Sequence, residues 1–323
     1  MRHAARIGSA VALLWPLSCG GEVVTLGHMA AQGSSGAAGD SGAPGAAGAT
    51  GSEGPHFEAP VLVAELASDG EESDNPTLTA DLLEIYFASG RDGGAGDVDV
   101  WMARRASVDV PFGAPEPVSV VNTEEFETSP AISLDGLELW VGAEREGGLG
   151  AQDIWVSRRS SRDGAWSELS NVTELNSTEK DIPRPPAVGG RIMPLGSRRG
   201  GLEYYQTFLA ERPTASSSFG AARELTELEI EGQNTIDGFL TEDGLTLYFN
   251  RTPGAGESTG DLFVASRPDL SAPFGAAVPI TDLNTSHDER DPWLSPDGRH
   301  LFFSSDRDGT LSIYEALAAA PAP

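Results

Sequence analysis

DPWLSPDGRHLFFSSDRDGTLSIYEAL, residues 291–317, sets three short apolar runs between turn-forming residues, and its reading decides the fold. Trp293, Leu294 and Ser295 form a first strand. Pro296-Asp297-Gly298 supplies a tight hairpin, because Asp and Gly accept the positive φ such a turn requires. His300 to Ser304 makes a second strand around Phe302 and Phe303, Ser305 to Gly309 turns the chain again, and Leu311 to Ala316 makes a third. Runs this short and this closely spaced predict an all-β protein rather than strands alternating with helices.

The same scheme recurs along the chain. Its first turn falls at Asp81, Asp135, Gly189, Asp243 and Asp297, each 54 residues from the last. Second strands read LEIYF (83–87), LELWV (137–141), LTLYF (245–249) and HLFFS (300–304); third strands read DVDVW (97–101), QDIWV (152–156), DLFVA (261–265) and LSIYE (311–315). Four units add a fourth strand opened by an aromatic residue, at Phe112, Trp166, Phe219 and Phe274, and Asn122, Asn176 and Asn284 end three of these in register. A fixed period of this length means that one supersecondary unit buries its faces against copies of itself.

The fifth unit has no fourth strand after it. A matching segment stands at the other end of the repeats, FEAPVLVAEL (57–66), with the same aromatic opening. A last sheet assembled from both ends closes a ring and removes the free edges that an open stack would leave. The expected fold is therefore a five-bladed β-propeller over 57–317, its last blade closed by the amino-terminal strand 57–66, with a short tail at 318–323.

The wording SPDG (295–298) and LFFSSDRDG (301–309) resembles the TolB-like, WD-type propeller repeat of bacterial envelope proteins. The resemblance covers 57–317 and is specific in four units, while the third departs. It implies a propeller with a binding or scaffolding role in the envelope. The extra amino-terminal domain of TolB has no counterpart here.

Ahead of the repeats, Arg2 and Arg6 precede an apolar stretch from Ile7 to Leu17, the layout of an export signal over 1–19. Pro16-Leu17-Ser18-Cys19 resembles a bacterial lipobox, although Pro16 stands where Leu is usual. It points to lipidation at Cys19 and to an outer-membrane lipoprotein, otherwise periplasmic or secreted. Residues 20–56 carry glycine at every third position from 33 to 54, but Pro44 is the only proline in those triplets. Too little proline is present for a collagen helix, so the segment reads as a flexible tether reaching about 35 Å.

Composition narrows the function. A net charge of −28 argues against nucleic-acid binding, since the phosphate backbone would be repelled. Cys19 is the only cysteine, which leaves no disulfide within the chain, and the five histidines are scattered without ligand spacing. No stretch approaches the roughly 20 apolar residues of a membrane-spanning helix, so contact with a membrane is expected through a lipid anchor alone. No cofactor is expected; oxygen-rich loops such as 91–99 leave calcium as the open alternative, without a recognised ligand spacing. The protein is expected to be a monomer whose partner is an envelope protein or polysaccharide.

Five-bladed propellers include furanoside hydrolases that work with two carboxylates, and Asp74, Asp181, Asp237, Glu289 and Asp291 fall near the inner strands. Most recur from unit to unit, as a structural acid does and a catalytic one does not, so no catalytic residue is assigned and hydrolysis stands as the alternative function. Arg91, Arg145, Arg199 and Arg307 recur in the second hairpin, and Asp99, Asp153 and Asp261 before the third strand, which suggests an Asp/Arg pair in each blade. The third unit breaks the pattern. Positions 180–199 hold Lys180, Arg184, Arg191, Arg198 and Arg199 against one acid, Asp181, and Tyr204 and Tyr205 follow. Guanidinium forks beside aromatic rings suit carboxylates and sugars, which makes Arg184, Arg198, Arg199, Tyr204 and Tyr205 the candidate ligand-binding set.

Overall fold

A computed structural model describes residues 54–254 and 259–320. The export signal with Cys19, and the linker up to residue 53, lie outside the described residues. The repeats belong to a compact unit spanning Thr50–Pro323.

Five four-stranded antiparallel sheets form the blades of a propeller. Strand β1 (Val61–Leu62) precedes blade A, which comprises β2 (Ser73–Leu78), β3 (Glu84–Ser89), β4 (Asp99–Arg104) and β5 (Glu116–Pro117). Blade B comprises β6 (Glu127–Ile132), β7 (Glu138–Ala143), β8 (Asp153–Arg158) and β9 (Ser170–Asn171). In blade C these are β10 (Asp181–Pro183), β11 (Ile192–Ser197), β12 (Gln206–Glu211) and β13 (Arg223–Glu224). Blade D follows with β14 (Gln233–Leu240), β15 (Thr246–Pro253), β16 (Asp261–Ser266) and β17 (Val278–Pro279). Blade E has β18 (Glu289–Leu294), β19 (His300–Ser305) and β20 (Ser312–Leu317), and its fourth strand is β1. Val61 and Leu62 pair with Glu315 and Tyr314, and Phe57 bridges Ala318, so the segment 57–66 closes the ring as its composition foretold.

The outer strands are only two residues long, and asparagine side chains extend them. Asn122 accepts from the Val100 amide at 3.0 Å and donates to its carbonyl at 2.9 Å. Asn176 does the same for Ile154 and Asn284 for Leu262. Each amide satisfies a third-strand backbone pair that a longer fourth strand would have covered.

Arginine fixes the blades at both ends. In the second hairpin, Arg91, Arg145, Arg199 and Arg307 donate to the carbonyls of Leu66, Val121, Leu175 and Leu283 in the connection between blades. Their acidic partners are not the Asp99 series. Arg145 pairs with Glu127, Arg199 with Asp181 and Arg307 with Glu289, all on the first residue of an inner strand and fully buried. Asp99 and Asp153 instead accept backbone amides of their own loops, from Ala95 and Gly96 and from Leu149 and Gly150, and so face their own loops instead of the hairpin arginine. Blade D fills the position from a different residue: Arg251 donates to Leu228 at 2.6 Å and stacks on Phe249 and Phe263.

At the other end, Arg105, Arg159, Arg212 and Arg267 each donate from Nε to a carbonyl of the first turn, that of Leu82, Gly136, Gly190 or Gly244. Their guanidinium groups lie over Phe112, Trp166, Phe219 and Phe274, 4.3–4.7 Å from the ring centres. This explains the aromatic that opens the fourth strand of blades A to D: it is the platform on which that arginine is held.

Deleting residues 57–66 strips β20 of its partner and Arg91 of its carbonyl acceptor. The truncated protein should aggregate or lose its cooperative thermal transition, as followed by light scattering and circular dichroism. A monomer with an unchanged melting temperature would refute closure by this strand.

Candidate ligand site at the channel mouth

The inner strands share a local irregularity. Strands β2, β6, β14 and β18 slip register between Asp74 and Thr77, Thr128 and Ala131, Ile236 and Phe239, and Arg290 and Trp293. The first residue within each slip has positive φ: 54° at Asn75, 49° at Ser129, 59° at Asp237 and 58° at Asp291. These residues fall on the 54-residue period and line one cavity of about 410 Å³ at the second-hairpin end of the inner strands. Short polar side chains that hydrogen-bond locally tolerate this conformation best. The fifth equivalent position is Pro183, whose ring fixes φ near −65° and forbids the bulge. Strand β10 accordingly stops there.

Arg184 follows, where the other blades have Pro76, Pro130, Gly238 and Pro292. Its side chain is buried, and one nitrogen, Nη2, donates both to Asp237 and, at 2.7 Å, to Asp291. A second arginine closes the cluster: Arg290 bonds Asp74 at 2.8 Å and lies 3.5–3.6 Å from Asp291 and Asp288. With its side-chain amide turned so that nitrogen faces the carboxylate, as the surrounding acceptors require, Asn250 donates to the remaining oxygen of Asp237 at 2.6 Å. The backbone amide of Asn75 reaches Ser304 Oγ and Asp291 Oδ2.

Four aspartates thus face two arginines. Burial pushes Asp74 and Asp237 up to about 6, against the pull of Arg290 and Arg184 respectively. Burial acts on Asp291 too, but Arg184 and Arg290 together hold its carboxyl below the ordinary range. Asp288 is raised by burial. The mouth therefore gains negative charge as pH rises through 6. Around it lie Ile182, Ile236, Tyr205, Asn234 and Thr252, a mixed polar and apolar lining suited to a hydroxyl-rich or peptide ligand.

The basic island of the third unit is divided by the fold. Arg184 enters the channel cluster. Tyr205 lines the cavity, and Arg198, about two-fifths exposed, stacks on its ring at 4.9 Å with Glu179 3.9 Å away. Arg199 belongs to the hairpin ring, stacked on Phe208. Tyr204 donates to Glu203 beside the cavity wall at Gly254. Of the acids weighed as catalytic, Asp181 and Glu289 lie beneath hairpin arginines, whereas Asp74, Asp237 and Asp291 meet at the mouth. Arg290 and Asn250 escaped the sequence reading. Arg290 had left a signal, as the only charged partner to Asp74 in the register row Asp74, Thr128, Ile182, Ile236 and Arg290. Among the described residues, no group of three His, Cys, Asp or Glu side chains is placed to hold a metal ion.

No family model and no curated protein sequence matches the chain. Solved structures do. TolB from Acinetobacter baumannii is 19% identical with a TM-score of 0.52, over 79% of this chain and 56% of that one. The chain thus spans little more than half the length of that TolB. An endo-arabinase from Bacteroides thetaiotaomicron is 11% identical with a TM-score of 0.55, over 82% of this chain and 98% of the enzyme. An α-L-arabinofuranosidase from Podospora anserina is 9% identical with a TM-score of 0.51, over 83% and 98%. At these identities the likeness establishes the propeller fold, shared by TolB and by glycosidases alike.

The raised carboxyls give a signed pH test. An aspartate whose folded pKa exceeds its unfolded one stabilises the fold when protonated, fully below about 4, and that contribution is lost as pH rises through 6. Asp74→Asn cannot lose it. The melting temperature of Asp74→Asn minus that of the wild type should therefore increase by several degrees from pH 4 to pH 7. A flat difference would mean that Asp74 titrates normally.

Proposed function

We propose that this chain is an exported, non-catalytic propeller that recognises a protein or glycan ligand of the cell envelope at the mouth of its channel. The observation that carries this reading is the shared Arg184 nitrogen between Asp237 and Asp291. A glycosidase leaves room between its carboxylates for the sugar and, in one class, a water. Here a buried guanidinium occupies that gap. Tyr205 and Arg198 remain at the rim, where a ring and a half-exposed cation can take a ligand.

Truncating both rim residues, as Arg198→Ala/Tyr205→Ala, should weaken binding of an envelope peptide or acidic glycan more than tenfold by calorimetry, with little change in melting temperature. Equal affinity in the variant would remove the rim from the site. One observation favours hydrolysis instead: Asp74 has no acidic equivalent in the other blades, and its raised pKa suits a general acid. Release of reducing sugar from arabinan by the wild type, but not by Asp74→Asn, would replace the binding reading with the enzymatic one.

The proposed location follows from residues 1–19. Cys19 is read as the acylated first residue of the mature protein, holding the propeller at the outer membrane. Wild-type protein should then fractionate with membranes and Cys19→Ser should not. A mature amino terminus found elsewhere by mass spectrometry, without lipid, would dispose of the anchor.

A further inference from the structure

At the first-turn end of the blades, away from the channel mouth, a groove of about 770 Å³ lies between blades B and C. The preceding groove, between blades A and B, is filled. There Arg162 of blade B reaches back to blade A, donating to Asp81 at 3.1 Å and to Thr79 Oγ1 at 3.3 Å and ion-paired with Glu84 at 3.2 Å. Glu84 also takes Arg104, Arg159 and the hydroxyl of Tyr86.

One blade on, the acceptors are kept and the arginine is missing. Ser133, Asp135 and Glu138 stand 54 positions after Thr79, Asp81 and Glu84, and all three line the open groove. Arg158 and Arg212 bond Glu138 as Arg104 and Arg159 bond Glu84. The residue in the place of Arg162 is Ala215, since the outer half of blade C is one residue shorter. The side chain of Arg162 lies against Gly136, and the methyl of Ala215 against Gly190, 54 positions later. Trp140 replaces Tyr86, lines the groove, is 1% exposed, and its indole N–H has no acceptor. The groove is lined by four acids, among them Glu174 and Glu242, against two arginines. Among the described residues, Asp135 is bonded only by Ser133 and the Leu137 amide, and no cation pairs with it.

We propose that the groove between blades B and C is a receptor for one arginine side chain of a partner polypeptide, whose guanidinium takes the place against Ser133, Asp135 and Glu138 that Arg162 fills one blade earlier. The chain's own filled groove is the template. A planar fork with several donors fits a hydroxyl and two carboxylates better than a point charge does. The site is independent of the channel mouth and does not rest on its function.

N-acetyl-arginine amide is the probe, titrated into the intact protein while the Trp140 indole N–H is followed by NMR, assigned with Trp140→Phe. A saturable shift is expected, with no shift from the neutral citrulline analogue. Ala215→Arg, at an exposed turn, should supply the missing side chain, raise the melting temperature and weaken probe binding at least tenfold. Asp135→Asn should weaken it without filling the groove. Conversely, Arg162→Ala should open a second, equivalent site and double the stoichiometry. No saturable binding by the wild type, equal binding of the citrulline analogue, or unchanged affinity in Ala215→Arg would each overturn the proposal.

Discussion

Everything in this protein depends on the pairing of two residues, Val61 and Leu62, with Glu315 and Tyr314 across the seam of the ring. A blade four strands wide buries its faces only against its neighbours, and a ring of five has no neighbour to spare. Without the seam, the outer edge of blade E would stand open. The two-residue outer strands make the requirement stricter. Blades A, B and D rely on asparagine side chains, and every blade relies on an arginine that reaches a carbonyl in the connection before it, so local order is borrowed from outside the sheet.

That economy accounts for much of the basic composition of an acidic chain. Five arginines sit in the hairpin ring and four on the fourth-strand aromatics, nearly half of the twenty in the sequence. Lysine could not take these places, because each one stacks a plane on a ring or forks between a carbonyl and a second acceptor. The presence of a single lysine, Lys180, follows the same logic.

The period and the turn residues make the blades and their closure legible in the amino-acid sequence. They specify local conformation, and local conformation repeated five times specifies the ring. The site is only partly legible there. Asp74, Asp237 and Asp291 can be placed near inner strands, but the cluster forms from side chains of blades A, C, D and E that meet only when the ring is closed. Arg184 draws attention as part of a basic island, although its true setting is the absence of a bulge at Pro183. Arg251 is hidden for a different reason. It lies two residues off the period, because β14 and β15 are each eight residues long and carry the hairpin further out.

The seam also decides how the molecule bears a load. Near its entry to the fold, the His56 carbonyl accepts from Ala319 and its ring meets Asp282, which also takes the Phe57 amide; further inward, Glu58 bonds Leu317 and Val63 bonds Ile313. Tension applied through the segment before residue 56 therefore falls on these contacts one after another, like a zipper opened from its end, and not on several strands at once. A propeller tethered at this point would respond to pulling at the very strand that holds it shut. In a propeller so tethered, attachment and mechanical fuse would be the same short segment.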